Sequence, residues 1–342
     1  MKKKSRFRSA TTLPLAACLL LQFARGSNSQ HREGPEFRVE TKEVTVPVVV
    51  VDKQERVYTQ LKKENFRILE DGVPQRIRSF IAANTADDSP LVVMLLLEYD
   101  DLLAHLRDEV IQPAGFFVTR VMGPKDFVSL VDFDTRPHVL ADFTRNRATL
   151  LDALSQLVNG NPAFSESSLY DALKFALAGG LLDDNEYKGM SAVKGRTGIL
   201  LLCTGLDTLS KTSYDEIQRI VDNSGVPIYV LGIAELAYVR AEPYLSDVQR
   251  VTFAEAENVL KTFAQTSGGK YYPVRFEAEV QDDLNQIAVM LHHEYTLTYV
   301  SSNPPQAGRK RKIEVLVDRD ADGRPDRDLR PQYRRFYVEP KQ

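Results

Sequence analysis

The sequence predicts an α/β protein with a doubly wound, mainly parallel sheet flanked by helices, together with an accessory β-sandwich-like domain. Between residues 88 and 294, short apolar runs alternate with helical stretches, which is typical of parallel strands joined by helices. Residues 91–97 are continuously apolar, as expected of a strand that is buried on both faces. Before and after this region the pattern indicates β-structure alone.

Six runs in the central region predict strands and six stretches predict helices. The strands are expected at residues 91–97, 127–133, 138–143, 199–203, 227–233 and 270–273. The helices are expected at residues 103–121, 146–157, 169–182, 213–223, 254–266 and 277–294. Residues 88–294 are therefore predicted to form one α/β domain.

Two flanking segments, residues 38–87 and 295–342, predict β-strands only. Alternating patterns place strands at residues 44–51, 66–69, 75–80, 295–300, 312–317 and 332–338. Asp71-Gly72 is a strong signal for a tight hairpin turn. Because both ends of the chain carry β-structure without a local partner, we expect the two segments to pack together as the accessory domain.

The first residues predict export. A basic start precedes an apolar run from Leu13 to Ala24, and Ala24 and Gly26 supply the small residues of a cleavage site. Residues 1–26 are thus predicted to be a signal peptide and residues 27–37 a flexible leader. The apolar run is too short for a membrane span. The alternative is a lipid anchor at Cys18, because residues 15–18 resemble a lipobox. The predicted location is the periplasm, the cell envelope or the medium.

Several short sequence motifs, in the same order along the chain, resemble those of the von Willebrand factor type A-related domain proteins of the acidobacterial type. The resemblance covers about residues 38–340. It rests on Asn65-Phe66 with Glu70-Asp71-Gly72, on residues 126–133, on Ser167-Ser168-Leu169-Tyr170-Asp171-Ala172, on Cys203-Thr204-Gly205-Leu206-Asp207-Thr208, and on residues 267–272 and 295–299. It implies a doubly wound fold whose loops bind a protein ligand.

The resemblance also implies a metal-ion-dependent adhesion site, from which this chain departs. In the family, a D-x-S-x-S turn, a Thr and an Asp supply oxygen ligands to a cation, and a carboxylate of the partner completes the shell. Here Glu98, Asp100 and Leu102 occupy the turn positions. Ser167 takes the place of the Thr, and Thr204 takes that of the last Asp. The site is therefore degenerate.

Two interpretations of this site follow. In the first, Glu98, Asp100, Ser167 and Thr204 hold Ca²⁺ or Mg²⁺, which both prefer oxygen ligands, and Asp101 and Asp207 contact the partner. In the second, the fold holds no metal and its acidic loop is merely solvated. The loss of a hydroxyl at Leu102 favours the second interpretation.

A second candidate cation site lies near the carboxyl end of the chain. Asp318, Asp320, Asp322 and Asp326 have the spacing of the first ligands of a calcium-binding loop, with Gly323 at the sharp turn. The bidentate Glu of such loops is missing, because its position is Leu329. The alternative is a polar hairpin tip whose Asp and Gly residues serve the turn.

The residues nominate no reaction. The chain has no G-x-S-x-G elbow, no H-E-x-x-H helix and no phosphate-binding loop. The net charge of −3 gives no general attraction to nucleic acid. We therefore expect a non-enzymatic, exported protein-binding or adhesion module with an unknown protein ligand. The alternative is a structural component of the cell envelope with an inert, metal-free fold.

Overall fold

The computed structural model of the chain describes residues 43–83, 90–100, 107–162, 164–193, 195–236, 246–276 and 278–339. All of them belong to one structural unit, Thr41–Gln342. The predicted signal peptide, leader and Cys18 anchor lie outside the described residues. Within them, no helix is both long and apolar enough to cross a bilayer.

The strands and helices follow the predicted alternation closely. The strands are β1 (Glu43–Val51), β2 (Phe66–Glu70), β3 (Val73–Gln75), β4 (Ile77–Ile81), β5 (Leu91–Glu98), β6 (Phe127–Phe133), β7 (Pro137–Thr144), β8 (Gly179–Leu182), β9 (Asn185–Lys188), β10 (Arg196–Cys203), β11 (Ile228–Gly232), β12 (Tyr271–Pro273), β13 (Tyr295–Val300), β14 (Lys310–Val317), β15 (Arg330–Tyr333) and β16 (Phe336–Val338). The helices are α1 (Arg107–Phe116), α2 (Arg147–Asn159), α3 (Leu169–Ala178), α4 (Tyr214–Ser224), α5 (Asp247–Ser267) and α6 (Glu279–His292).

A six-stranded sheet in the order β12-β11-β10-β5-β6-β7 forms the centre of the α/β region. All neighbours are parallel except β6 and β7, which are antiparallel. Side chains of alternate residues point to opposite faces of a strand, and both faces of β5 are apolar. Leu95 packs with the core formed by α1, α2 and α6, whereas Leu96 packs with the core formed by α3, α4 and α5. The continuous apolar runs are explained by this double burial.

The accessory domain is a sandwich of two antiparallel four-stranded sheets. Their orders are β15-β1-β13-β4 and β16-β14-β2-β3. Strand β1, from the start of the described chain, pairs with β13 and with β15, which both follow the α/β region. Val46, Ile68, Tyr295 and Val315 are among the residues that fill the core between the sheets. The predicted fold class is confirmed.

The predicted helix 169–182 is wrong over its last four residues. Helix α3 ends at Ala178, and Gly179 has a φ of +76°. A Cβ at Gly179 would lie 2.2 Å from the Tyr187 carbonyl oxygen, so only glycine fits there. The chain then forms the β8–β9 hairpin, with Asp183 and Asp184 in left-handed conformations at the turn.

Two predicted strands, 75–80 and 332–338, are each divided between the two sheets of the sandwich. β3 pairs with β2, whereas β4 pairs with β13 in the other sheet. Likewise β15 pairs with β1, whereas β16 pairs with β14. Alternation of polar and apolar residues continues through such a crossing, so it does not reveal the change of sheet.

Candidate functional site

The candidate site lies at the carboxyl edge of the central sheet, between β5 and β10. From β5 the chain builds the sheet outwards through β6 and β7, and it then returns to build the other side through β10, β11 and β12. In open α/β sheets this switch point leaves a crevice that commonly binds ligands. Glu98 is the last residue of β5, and Thr204 directly follows β10.

Glu98 and Thr204 are in direct contact. The Thr204 hydroxyl donates to Glu98, with Oγ1 2.8 Å from Oε2 and 3.1 Å from Oε1. The Thr204 backbone N–H donates to Oε2 at 2.5 Å. Both residues are buried. At the position where the resemblance implies an Asp, this chain has Thr204, whose hydroxyl and backbone amide bind the neighbouring carboxylate.

Asp100 and Ser167 complete the cluster. Asp100 is buried and lies close enough to Glu98 for its charge to act on that carboxyl. Ser167 is also buried, and its Oγ has no hydrogen bond of normal geometry, although the hydroxyl is near enough to Glu98 to lower its pKa. The structure therefore brings together all four residues that the resemblance indicates.

Ionised carboxylates are unfavourable in this buried cluster. Burial, reinforced by the charge of Asp100, raises the pKa of Glu98 to about 8 against the lowering effect of Thr204. Burial and the same two carboxyls also raise the pKa of the adjacent Cys203 thiol. Two neighbouring carboxylates that are both ionised repel each other, and a cation between them would relieve the repulsion.

The donor set fits a hard divalent cation. Two carboxylates and two hydroxyls offer oxygen ligands only, as Mg²⁺ and Ca²⁺ require, and the unsatisfied Ser167 hydroxyl is one of them. No group of three or more His, Cys, Asp or Glu side chains in the described part of the chain is arranged to hold a metal. A cation here would thus depend on hydroxyls and water for much of its shell.

Asp207 has a clear role within the loop that follows β10. Its Oδ1 accepts a hydrogen bond from the Tyr170 backbone N–H at 3.1 Å and one from the Ser210 hydroxyl at 2.5 Å. Asp171, in the first turn of α3, accepts bonds from the backbone N–H groups of Lys211 and Thr212. These bonds fix the loop against the start of α3. Asp101, the other predicted contact residue, lies outside the described residues.

Apolar side chains are exposed around the same edge. Leu209 is 52% exposed, and its backbone N–H donates to the Ser167 carbonyl. Phe164, three residues before Ser167, is 51% exposed. Phe276, in the loop after β12, is 66% exposed. Exposed apolar side chains that lie near one another often mark a contact surface for a protein.

The loop that was predicted as a calcium site uses its carboxylates in other ways. Both oxygens of Asp318 accept bonds from backbone N–H groups, those of Asp322 and Gly323. The guanidinium of Arg319 lies near Asp320, Asp326 and Asp328. The turn-forming alternative accounts for the Asp318 contacts, and calcium binding here stays a prediction.

His292, His293 and Glu294 have separate surroundings. His292 Nε2 lies 3.0 Å from Asp126 Oδ2, and His293 Nδ1 lies 3.3 Å from the Ala83 carbonyl oxygen. Glu294 instead lines a cleft between the α/β region and the sandwich, as does the buried Arg334. No pattern in the sequence indicates this pair, because the two residues are far apart in the chain.

Comparisons with known proteins return structures only. No protein-family model matches the chain, and no curated protein matches it. Solved structures with some likeness include a von Willebrand factor type A protein from Catenulispora acidiphila, at a TM-score of 0.43 and 11% identity over 89% of this chain and 74% of that one.

Two others come from pili. The von Willebrand factor domain of the type V pili tip protein Mfa5 from Porphyromonas gingivalis has a TM-score of 0.42 and 13% identity, over 58% of this chain and 94% of that one. The PilB minor pilin from Streptococcus sanguinis has a TM-score of 0.42 and 12% identity over 60% of this chain. The chain spans about 62% of the length of that pilin.

Proposed function

We propose that this chain is an exported, non-catalytic protein-binding module of the adhesion type, which binds its partner at the carboxyl edge of the central sheet. The observation that carries the proposal is the buried cluster of Glu98, Asp100, Ser167 and Thr204 at the switch point, with the unsatisfied Ser167 hydroxyl among them. The loops that hold it, residues 164–171 and 204–212, are tied together by hydrogen bonds. A preformed surface of this kind favours binding because little has to be ordered.

In this proposal the cluster holds a divalent cation. Glu98 and Asp100 would supply the charge, and Ser167 and Thr204 the hydroxyl oxygens. The cation would provide a Lewis-acidic position for a carboxylate of the partner protein, and Leu209 and Phe164 would contact apolar groups around it.

The alternative, a metal-free structural protein, has one observation in its favour. The Thr204 hydroxyl and amide already hydrogen-bond the Glu98 carboxylate, so part of the coordinating capacity of Glu98 is used within the chain. Such a cluster would act as a buried polar brace between β5 and β10, and the edge would bind nothing.

A capture experiment separates the two. The purified chain is immobilised and exposed to cell-envelope proteins in Mg²⁺ or in EDTA. Capture of a defined partner should fall at least tenfold in EDTA, in Asp100→Asn and in Leu209→Ser. Leu181→Ser is the matched control, because Leu181 is 79% exposed on β8, away from this edge. Equal capture by all variants would contradict the proposal.

A further inference from the structure

A polar cleft separates the amino edge of the central sheet from the sandwich. It has a volume of about 610 Å³, within the range of small-molecule sites, which often lie between domains. Its sandwich side is the outward face of β1 and β13, with Thr45, Thr296 and Thr298. Thr197 of β10 lies on the opposite side. It is therefore distinct from the site at the carboxyl edge.

Arg334 lines this cleft without a carboxylate partner. It is 7% exposed, and its Nη2 donates to the Thr45 carbonyl oxygen at 2.5 Å. Its Nε has no hydrogen bond, and no ion pair joins the guanidinium to an acid in the described part of the chain. Burial lowers the pKa of Arg334 to about 10, so the group stays charged at neutral pH.

Glu294 lines the same cleft and forms no ion pair within 4.0 Å among the described residues. It is 4% exposed, and no hydrogen bond reaches its carboxyl from the residues that the structure describes. Burial raises its pKa to about 8, with Arg196 acting in the opposite direction. Glu294 and Arg334 do not pair with each other, so within the described residues the cleft contains an acid without an ion-pair partner and a base whose Nε has no hydrogen bond.

From this arrangement we propose that the cleft binds a small zwitterion, an organic molecule with a carboxylate for Arg334 and an ammonium group for Glu294. Burying the charge of Arg334 without a carboxylate partner is costly, and the carboxylate of the ligand would offset that cost. The ammonium group of the ligand would favour the ionised form of the Glu294 carboxyl. The threonine hydroxyls on the sandwich side of the cleft would supply hydrogen bonds to the part of the ligand between its charged ends. The fixed separation of Arg334 and Glu294 selects the length of the ligand.

A series of ω-amino acids measures that length. The purified full chain is titrated by calorimetry with glycine, β-alanine, γ-aminobutyrate and ε-aminohexanoate, and thermal unfolding is followed with the same compounds. One or two neighbouring lengths should bind and raise the melting temperature, since a ligand of the folded state stabilises it. Butyrate and butylamine, which each carry one charge, should bind at least tenfold more weakly.

Two variants locate the binding. Glu294→Gln should weaken it at least tenfold, and so should Thr296→Phe, which fills the cleft and leaves both charged residues in place. Asp283→Asn is the matched control, because burial also raises the pKa of Asp283, to about 6, and this residue does not line the cleft. The proposal is overturned if no compound binds the wild-type chain at millimolar concentration, if butyrate binds as well as the zwitterions, or if binding survives Thr296→Phe.

Discussion

At the scale of single residues, Glu70 and Glu98 are both buried carboxylates, but their surroundings differ. Glu70 accepts hydrogen bonds from the hydroxyls of Tyr299, Tyr337 and Ser301 and from the Asn303 amide. Burial raises the pKa of Glu70, but these bonds outweigh it and bring the pKa below its usual value. Glu98 has fewer donors and a carboxylate neighbour, and its pKa is raised. The surroundings of Glu70 therefore stabilise its ionised carboxylate. The surroundings of Glu98 do not, so its negative charge has to be neutralised by a proton or a cation.

Removing Glu70 should destabilise the sandwich. Glu70→Ala leaves several buried donors unsatisfied, so the free energy of unfolding should fall by at least about 2 kcal/mol. Tyr299→Phe, which removes one donor, should cost about 1 kcal/mol. Because the folded pKa of Glu70 is lowered, its contribution is present above the unfolded value and is lost as the pH falls. Urea unfolding at neutral pH checks that Glu70→Ala loses more stability than Tyr299→Phe. Equal losses of stability in both variants would contradict a stabilising role for the hydrogen bonds to Glu70.

Glu294 should give the opposite dependence on pH. Its pKa of about 8 lies above the ordinary 4.5, so the folded chain keeps a proton that the unfolded chain releases between these values. Its stabilising contribution is therefore complete below about pH 4.5 and disappears as the pH rises through 8. Glu294→Gln should gain on the order of 2–4 kcal/mol relative to the wild type between pH 5 and pH 9.

Urea unfolding of both proteins at the two pH values measures this difference. The neighbours that act on the result are Arg196, whose charge lowers the pKa of Glu294, and Tyr229, whose pKa burial and the Glu294 carboxyl raise together. A wild-type chain and a variant with the same pH dependence would show that Glu294 is ionised in the folded state.

The grouping of the site residues could be predicted at this scale, but their bonds could not. Glu98 and Thr204 each end a buried apolar run, and the carboxyl ends of neighbouring parallel strands meet at one edge. That Thr204 hydrogen-bonds Glu98 depends on the distance between β5 and β10. That Asp207 binds the start of α3 depends on the path of its loop. The pattern of polar and apolar residues predicts neither that distance nor that path.

At the scale of elements, apolar runs predicted the central strands within one to three residues. Strand β6 has the predicted bounds, and β5 extends the predicted run by Glu98 alone. The runs succeed because a strand that is buried on both faces must be apolar at every position. The predictions failed where a glycine or a crossing changed the direction of the chain, at Gly179, Arg76 and Arg334.

Gly179 should be intolerant of any side chain. Gly179→Ala places a Cβ 2.2 Å from the Tyr187 carbonyl oxygen and requires a φ of +76°, so we expect the free energy of unfolding to fall by about 1–3 kcal/mol. Gly115→Ala is the control. Apart from its chain neighbours and the backbone of α1 itself, no atom lies within 4 Å of the added Cβ, and alanine favours a helix by up to about 1 kcal/mol. The melting temperature should therefore fall in Gly179→Ala and rise in Gly115→Ala. Shifts of the same sign in both variants would contradict this explanation.

At the scale of the whole molecule, the two ends of the described chain close one sandwich around a continuous α/β region. β1 lies between β13 and β15. Lys310 of β14 pairs with Asp222 of α4 at 2.8 Å, and the Val338 N–H donates to the Asn223 side chain. These contacts attach the sandwich to α4, in addition to the covalent connections between the sandwich and the α/β region. The whole described unit should unfold together.

Truncation tests this closure. A chain that ends at residue 329 lacks β15 and β16, one strand of each sheet, and also the Tyr337 bond to Glu70. It should lose the cooperative thermal transition of both regions, whereas a chain that ends at residue 339 should keep it. A shortened chain in which the α/β region melts at the wild-type temperature would show that the two regions are independent.

In the proposed function, the cluster at the carboxyl edge binds a divalent cation through which a partner is held. Thermal unfolding of the purified chain in EDTA, Mg²⁺, Mn²⁺ and Ca²⁺ tests it most directly, with Asp100→Asn compared against Asp320→Asn in the 318–326 loop. A ligand that binds only the folded state raises the melting temperature. We expect at least one cation to stabilise the wild type and Asp320→Asn but not Asp100→Asn. Melting temperatures that are the same with every cation and in EDTA, or a stabilisation that only Asp320→Asn abolishes, would contradict the claim.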